Sequence, residues 1–256
     1  MKIVSVVYSL GVLLTASILT NCTVQQDLGK GEKTIDTIRI EGASSGLALQ
    51  IEFQKGPAHN HPTFAIWLED KDENYLRTLF VTKSIATGIY GHGPIQKEVW
   101  DKKPGPQQRP ATLPYWLHKR SDALNLPLLP DSTHPVLDGY SGATPKNDFV
   151  IKTGTPKALP SKIRVLMEIN QPWDWNEYWT NVLHDDADYR TSCQPSLVYA
   201  VSIDLDKPEK EYFVNPIGHG HFAGKDGLLY TDLRSMTTAL KIIDHVSIKL
   251  INPEEK

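Results

Sequence analysis

Apolar and polar residues alternate with a period of two along several stretches of this chain. In LALQIEFQ (47–54), Leu47, Leu49, Ile51 and Phe53 alternate with Ala48, Gln50, Glu52 and Gln54. KIRVLMEIN (162–170) keeps Ile163, Val165, Met167 and Ile169 at odd positions, and SLVYAVSIDL (196–205) does the same with Leu197, Tyr199, Val201, Ile203 and Leu205. Successive side chains of a strand point to opposite faces, so this pattern predicts half-buried strands with one wet face each. FAIWLED (64–70) and YLRTLFV (75–81), joined by the charged KDEN, read as a hairpin. HVSIKLI (245–251) is the last strand. Helix signals are weaker. DLRSMTTALKIID (232–244) places Leu233, Met236, Leu240 and Ile243 on one face behind an Asp start signal, which predicts one short C-terminal helix. Many strands separated by polar turns predict an all-β fold, an antiparallel β-sandwich of immunoglobulin-like type with long loops.

The longest interruption runs from 84 to 160, with Pro at 94, 104, 106, 110, 114, 127, 130, 135, 145, 156 and 160. An irregular excursion of that length inside a compact domain is usually functional or disordered. The 18 prolines and 17 glycines of the chain are scattered as punctuation and build no low-complexity tract.

The N-terminus carries a different message. Lys2, an apolar run from Ile3 to Leu19 and then Leu19-Thr20-Asn21-Cys22 lay out a bacterial lipoprotein signal, with Cys22 as the lipidated first residue of the mature chain. Asn21 stands where Gly, Ala or Ser is usual, so ordinary secretion and an uncleaved anchor remain alternatives. The expected organisation is a signal peptide over 1–21, a solvated tether over 22–34 and a single sandwich domain over 35–256. Acyl chains on Cys22, at about 0.8 kcal/mol per buried CH₂, would hold the protein on a bilayer in the cell envelope, facing the periplasm or the exterior. Removing 1–21 takes away Lys2 and no acid, so the net charge of −3 becomes −4. That balance argues against nucleic acid as a partner. If Cys22 carries lipid, Cys193 is the one remaining thiol, which excludes a disulfide framework and favours a small buried apolar role.

FAIWLEDKDENYLRTLFV, RPATLPYWLHK (109–119) and DGYSGATP (138–145) occur in the order typical of a family of exported bacterial domains of unknown function, numbered 2271, which the chain resembles. VLMEINQPWDWNEYW (165–179) and GHGHFAGKDGLLYTDLRSMTTA (218–239) are similar to its later segments. The resemblance spans most of 45–250; the insert GIYGHGPIQKEVWDKKPGPQQ (88–108) departs from it. The family has no settled activity, so the resemblance bounds the fold more than the chemistry.

Within DGYSGATP, Asp138, Ser141, Gly142, Ala143 and Thr144 match D-x-x-(S/T)-G-A-(S/T), the pattern at which exported flavin carriers receive FMN from a separate FMN transferase. The chemistry needs an exposed nucleophilic hydroxyl, Thr144, next to residues small enough for the pyrophosphate of FAD to approach, Gly142 and Ala143. Asp138 would orient the segment or a metal on the transferase. The competing reading is a tight turn, with Gly142 at positive φ and the hydroxyls capping backbone groups.

Other candidates are weaker. Trp173, Trp175, Tyr178 and Trp179 form either a stacking platform for an isoalloxazine or sugar ring, or an aromatic seal at the end of the sandwich. His59/His61 and His219/His221 are His-x-His pairs, with His92 between glycines. Two nitrogens are too few for a metal unless pairs converge, and the flanking Pro62 and glycines place both pairs in loops, so no metal is expected. No nucleophile elbow, His-Glu-x-x-His or phosphate-binding glycine loop is present, and LEDKDE (68–73) is a solvated hairpin tip. The expected function is therefore a membrane-tethered electron carrier with covalent FMN on Thr144, without an active site of its own, that serves a membrane redox partner protein. The alternative is an accessory lipoprotein that binds a protein or glycan through its loop-rich end. A metal-binding periplasmic protein comes third.

Overall fold

The structure, a computed structural model, describes residues 24–25, 35–40, 47–92, 94–96, 99–155 and 159–251. The expected signal peptide, Cys22 and the tether other than Val24–Gln25 lie outside the described residues. In chain order the strands are β1 (Val24–Gln25), β2 (Asp36–Arg39), β3 (Ala48–Lys55), β4 (Thr63–Asp70), β5 (Tyr75–Thr82), β6 (Ile89–Tyr90), β7 (Pro94–Gln96), β8 (Val99–Trp100), β9 (Gly105–Pro106), β10 (Tyr140–Gly142), β11 (Phe149–Gly154), β12 (Lys162–Asn170), β13 (Leu197–Asp204), β14 (Tyr212–Phe213), β15 (Asn215–His219) and β16 (Ile243–Ile251). Among the described residues three helices join them: α1 (Lys83–Thr87), α2 (Pro114–Leu124) and α3 (Tyr189–Ser192).

The fold is an all-β sandwich. One six-stranded sheet has the order β1-β2-β11-β3-β16-β14 and the other β10-β5-β4-β12-β13-β15. Its ladders are antiparallel except for two, β2 with β11 and β10 with β5, which run parallel. The alternating positions read from sequence meet between the sheets. Leu49, Ile51 and Phe53 of β3 pack against Phe64, Ile66 and Leu68 of β4 and against Ile163, Val165, Met167 and Ile169 of β12. Phe53, Phe64, Phe80 and Phe149 stack at centroid distances of 4.5 Å (Phe53–Phe149) and 4.9 Å (Phe64–Phe80). Each such side chain contributes roughly 1.5–3 kcal/mol through burial. The KDEN hairpin forms as expected, with Asp70 Oδ1 accepting from the amides of Asp72 and Asn74.

Two expectations are corrected. The first is the wet face of β12 and β13. Leu166 and Val198, on the second face, are fully buried together with Trp67 of β4. The 83–136 excursion folds back over them through Ile85, Leu113, Trp116 and Leu117. The proline-rich region is thus a third layer on one sheet, and the sheet is buried on both sides where it is covered. The second is the helix over 232–244. The segment is a series of turns ending in one 3₁₀ turn, Ala239–Lys241, and β16 begins at Ile243, two residues before the expected start. Met236, Ala239, Ile242 and Ile243 are all buried in the inter-sheet core, and that packing overrides the local helical periodicity.

Candidate functional site

β10 is an edge strand, pairing in parallel with β5 so that Ser141 lies opposite Val81 and Gly142 opposite Thr82. Asp138, just before it, is held by three groups: Arg120 Nε of α2 donates to its carboxylate at 2.7 Å, the Tyr75 hydroxyl donates to the other carboxylate oxygen, and Arg77 Nε donates to its backbone carbonyl at 3.2 Å. Burial alone would push the Asp138 carboxyl up, but the Tyr75 bond and the Arg120 guanidinium together hold it below the ordinary value. Asp138 is therefore an ionised anchor that orients the segment. Gly139 is needed for close approach, since a Cβ there would sit 2.6 Å from Thr78 Cγ2. Gly142 is a strand residue and does not take positive φ; among the described glycines only Gly88 and Gly224 do, which corrects that part of the tight-turn reading, while its other part, a hydroxyl bonded to a backbone group, is met by Thr144.

Ala143 is exposed and Thr144 half-buried at the end of β10. Thr144 Oγ1 donates to the carbonyl of Pro62 at 2.7 Å and lies 3.2 Å from Thr82 Oγ1. Thr82 Oγ1 in turn accepts from the Phe64 amide at 3.0 Å. The hydroxyl is thus oriented by the start of β4 and the end of β5. His59 Nε2 donates to the Pro145 carbonyl at 3.3 Å, and burial holds this imidazole below its ordinary pKa. His59 therefore clamps the residue after Thr144, while His61 is exposed at φ 54°. The first His-x-His pair splits.

The second pair lies elsewhere at the same end of the sandwich. Asn170 pairs with Thr63 and Leu197 with His219, so the end of β12, the start of β4 and the end of β15 share one end with Thr144. Thr144 and His219 belong to opposite edges of the sheet. The Thr144 hydroxyl nevertheless reaches back to the residue before β4, so β12 and β13 are the strands that separate it from β15. His219 closes β15 and is no loop residue. The glycines around it serve packing: a Cβ on Gly218 would meet Tyr230 O at 2.7 Å, and one on Gly220 would meet Pro114 Cγ at 2.5 Å and Ser196 Oγ at 2.7 Å. Beside β15 opens a cavity of about 310 Å³ lined by Trp179, His219, His221, Phe222, Tyr230, Asp232 and Ser235. The aromatic cluster divides here. Trp179 turns inward and its Nε1 donates to Ser235 Oγ at 3.0 Å, while Trp173, Trp175 and Tyr178 face solvent. Among the described residues no group of three or more His, Cys, Asp or Glu is gathered as a metal site. Cys193 is a buried free thiol, pushed by burial up to about 11, so it is inert.

Sequence reasoning missed Glu168 and its role. Its carboxylate is fully buried and accepts from the amides of Tyr115 (3.1 Å) and Trp116 (2.7 Å) in the first turn of α2 and from the Ser196 hydroxyl (2.5 Å). Burial pushes it up to about 7 against those three donors. The available signal was a lone acid between Leu166 and Asn170 on one face of β12. The reading of LEDKDE as a solvated hairpin tip is corrected at its start: Leu68 and Glu69 are fully buried in β4, and Glu69 accepts from Trp67 Nε1 at 3.0 Å, pairs with Arg164 at 3.1 Å and holds the same covered face.

No family model, no curated protein and no solved structure matches this chain. The resemblance to the exported family 2271 therefore rests on the quoted segments alone.

Proposed function

We propose that the protein is an extracytoplasmic electron carrier, lipid-anchored through Cys22 in the cell envelope, that holds FMN as a phosphoester on Thr144 and serves a membrane redox partner. The carrying observation is how the D-x-x-S-G-A-T segment is presented. It lies on an edge strand, its front is fixed by Asp138 and its rear by His59, and Ala143 and Thr144 reach the surface between these clamps. Gly142 and Ala143 keep the chain next to the Thr144 hydroxyl small, although the rings of Tyr140 and Phe80 lie against Gly142. In the attachment step Thr144 Oγ1 attacks the FMN phosphorus of FAD, the bond to the AMP phosphate breaks and AMP leaves. The hydroxyl proton, which rests on the Pro62 carbonyl, passes to a base of the FMN transferase. Asp138 and Arg120 hold the segment still and take no part in bond making. Bound flavin supplies reversible electron storage; the protein supplies attachment and position.

Co-expression with an FMN transferase tests this. The mature protein should gain one FMN by intact mass and a fluorescent band that survives denaturing electrophoresis; Thr144→Ala should lose both and Thr144→Ser should keep them. An unlabelled wild type beside an active transferase would move the assignment to the second reading, a binding module. That reading is favoured by the cavity at the opposite edge of the same end. Retention of the Cys22→Ser protein in the membrane fraction would remove the lipid anchor from either reading.

A further inference from the structure

The cavity beside β15 is built from rings whose hydrogen-bonding roles the backbone fixes. His219 Nδ1 lies 2.8 Å from the Gly220 carbonyl, which can only accept, so Nδ1 carries the proton and Nε2 is left as an acceptor. Burial keeps this imidazole below its ordinary pKa and hence neutral. His221 has the opposite tautomer. Its Nδ1 accepts from the Ala223 amide at 3.0 Å, so Nε2 carries the proton and is a donor. The pair therefore offers one acceptor and one donor, and neither Nε2 has a partner among the described residues. Ser235 Oγ already accepts from Trp179 Nε1, which leaves its own proton to donate. Asp232, paired with Arg234 through both oxygens, retains acceptor capacity.

The walls are rigid aromatic faces. Tyr230 stacks on His219 at 5.3 Å and 14°. Phe222 is sandwiched between His184 (4.1 Å, 20°) and His221 (4.5 Å, 25°). The volume, about 310 Å³, lies at the lower end of small-ligand sites. A metal ion is a poor occupant, because the His221 Nε2 has no lone pair to give while Nδ1 holds the Ala223 amide. An anion is opposed by Asp232. A ligand whose every polar group both donates and accepts, and whose ring presents C–H bonds to aromatic faces, matches the whole set.

We propose that this cavity is a saccharide-binding site that takes one neutral hexopyranose ring of a glycan, stacked on Tyr230 and Trp179, with its hydroxyls shared between His219, His221 and Asp232. It stands independently of flavin on Thr144, from which β12 and β13 separate it.

The test is a titration of the full chain in detergent with maltotriose and with chitotriose, followed by tryptophan fluorescence and isothermal calorimetry. One of the two should saturate in the millimolar range or tighter. Tyr230→Ala and His221→Asn should each weaken it about tenfold, with the thermal midpoint of His221→Asn reporting whether the loop stays folded. Thr144→Ala should bind as wild type, which separates this site from the flavin reading. No saturation by either oligosaccharide, binding that Tyr230→Ala leaves unchanged, or stoichiometric zinc uptake lost in His221→Asn would each overturn the proposal.

Discussion

Glu168 makes the stability of this fold depend on pH in a direction opposite to that of most carboxylates. Its carboxyl is completely enclosed beneath α2, and burial pushes it from 4.5 up to about 7. Between these values the unfolded chain has released the proton while the folded chain keeps it, so stability falls as pH rises through this window and the loss is complete above about 7. At ~1.36 kcal/mol per pH unit the difference amounts to about 3 kcal/mol. The perturbation is Glu168→Gln, which removes the titration while keeping the shape. Urea unfolding of both proteins at pH 5, 6, 7 and 8 isolates the effect, because the other titrating groups are common to both and cancel in the difference. The wild type should lead at pH 5, and the gap should close by about 2.5 kcal/mol by pH 8. A gap constant within about 0.5 kcal/mol would refute the reasoning. It would mean that the two α2 amides and the Ser196 hydroxyl compensate fully for enclosure, and that the carboxylate is an ordinary ionised helix cap.

Arg120→Ala should cost about 2–3 kcal/mol in thermal or chemical unfolding, somewhat below a fully enclosed pair because Asp138 keeps 23% side-chain exposure. A loss under about 0.5 kcal/mol would mean that Tyr75 and Arg77 suffice to hold the segment. Gly220→Ala should cost about 1–3 kcal/mol by overpacking Pro114, Ser196 and Glu168, measured the same way. An unchanged midpoint would show that α2 shifts without penalty.

The inter-sheet core was legible because period-two alternation needs only the sequence of one strand: Ile51, Phe53, Val165 and Met167 all fall where the pattern puts them. The other face of the same sheet was not, since what covers Leu166 and Val198 is a segment dozens of residues away whose prolines conceal its apolar positions. The helix expected over 232–244 failed for a related reason, as Ile243 has a choice between a helix face and a ladder with β3 and the ladder wins. At the candidate site, Asp138 and Thr144 were visible as a motif. Their partners Tyr75, Arg120, Pro62 and Thr82 were not, because no local spacing encodes a contact across 18 to 82 residues. The tautomers of His219 and His221 depend on backbone groups one and two residues away, yet only the fold shows which of those groups turn back on the ring.

The four outer strands of the sandwich have a consequence for crowding. β1 and β14 are two residues long, β10 three, and β15 contains Pro216, which has no amide to offer. An unpaired sheet edge is a template for another chain, and long flat edges drive strand-to-strand association. Here the outermost strands are short or broken, although β14 pairs with only two of the nine residues of β16. Copies anchored on a membrane, as proposed, diffuse in two dimensions and collide side-on far more often than they would in solution. In that setting the short outer strands limit the backbone groups available for lateral strand-to-strand pairing.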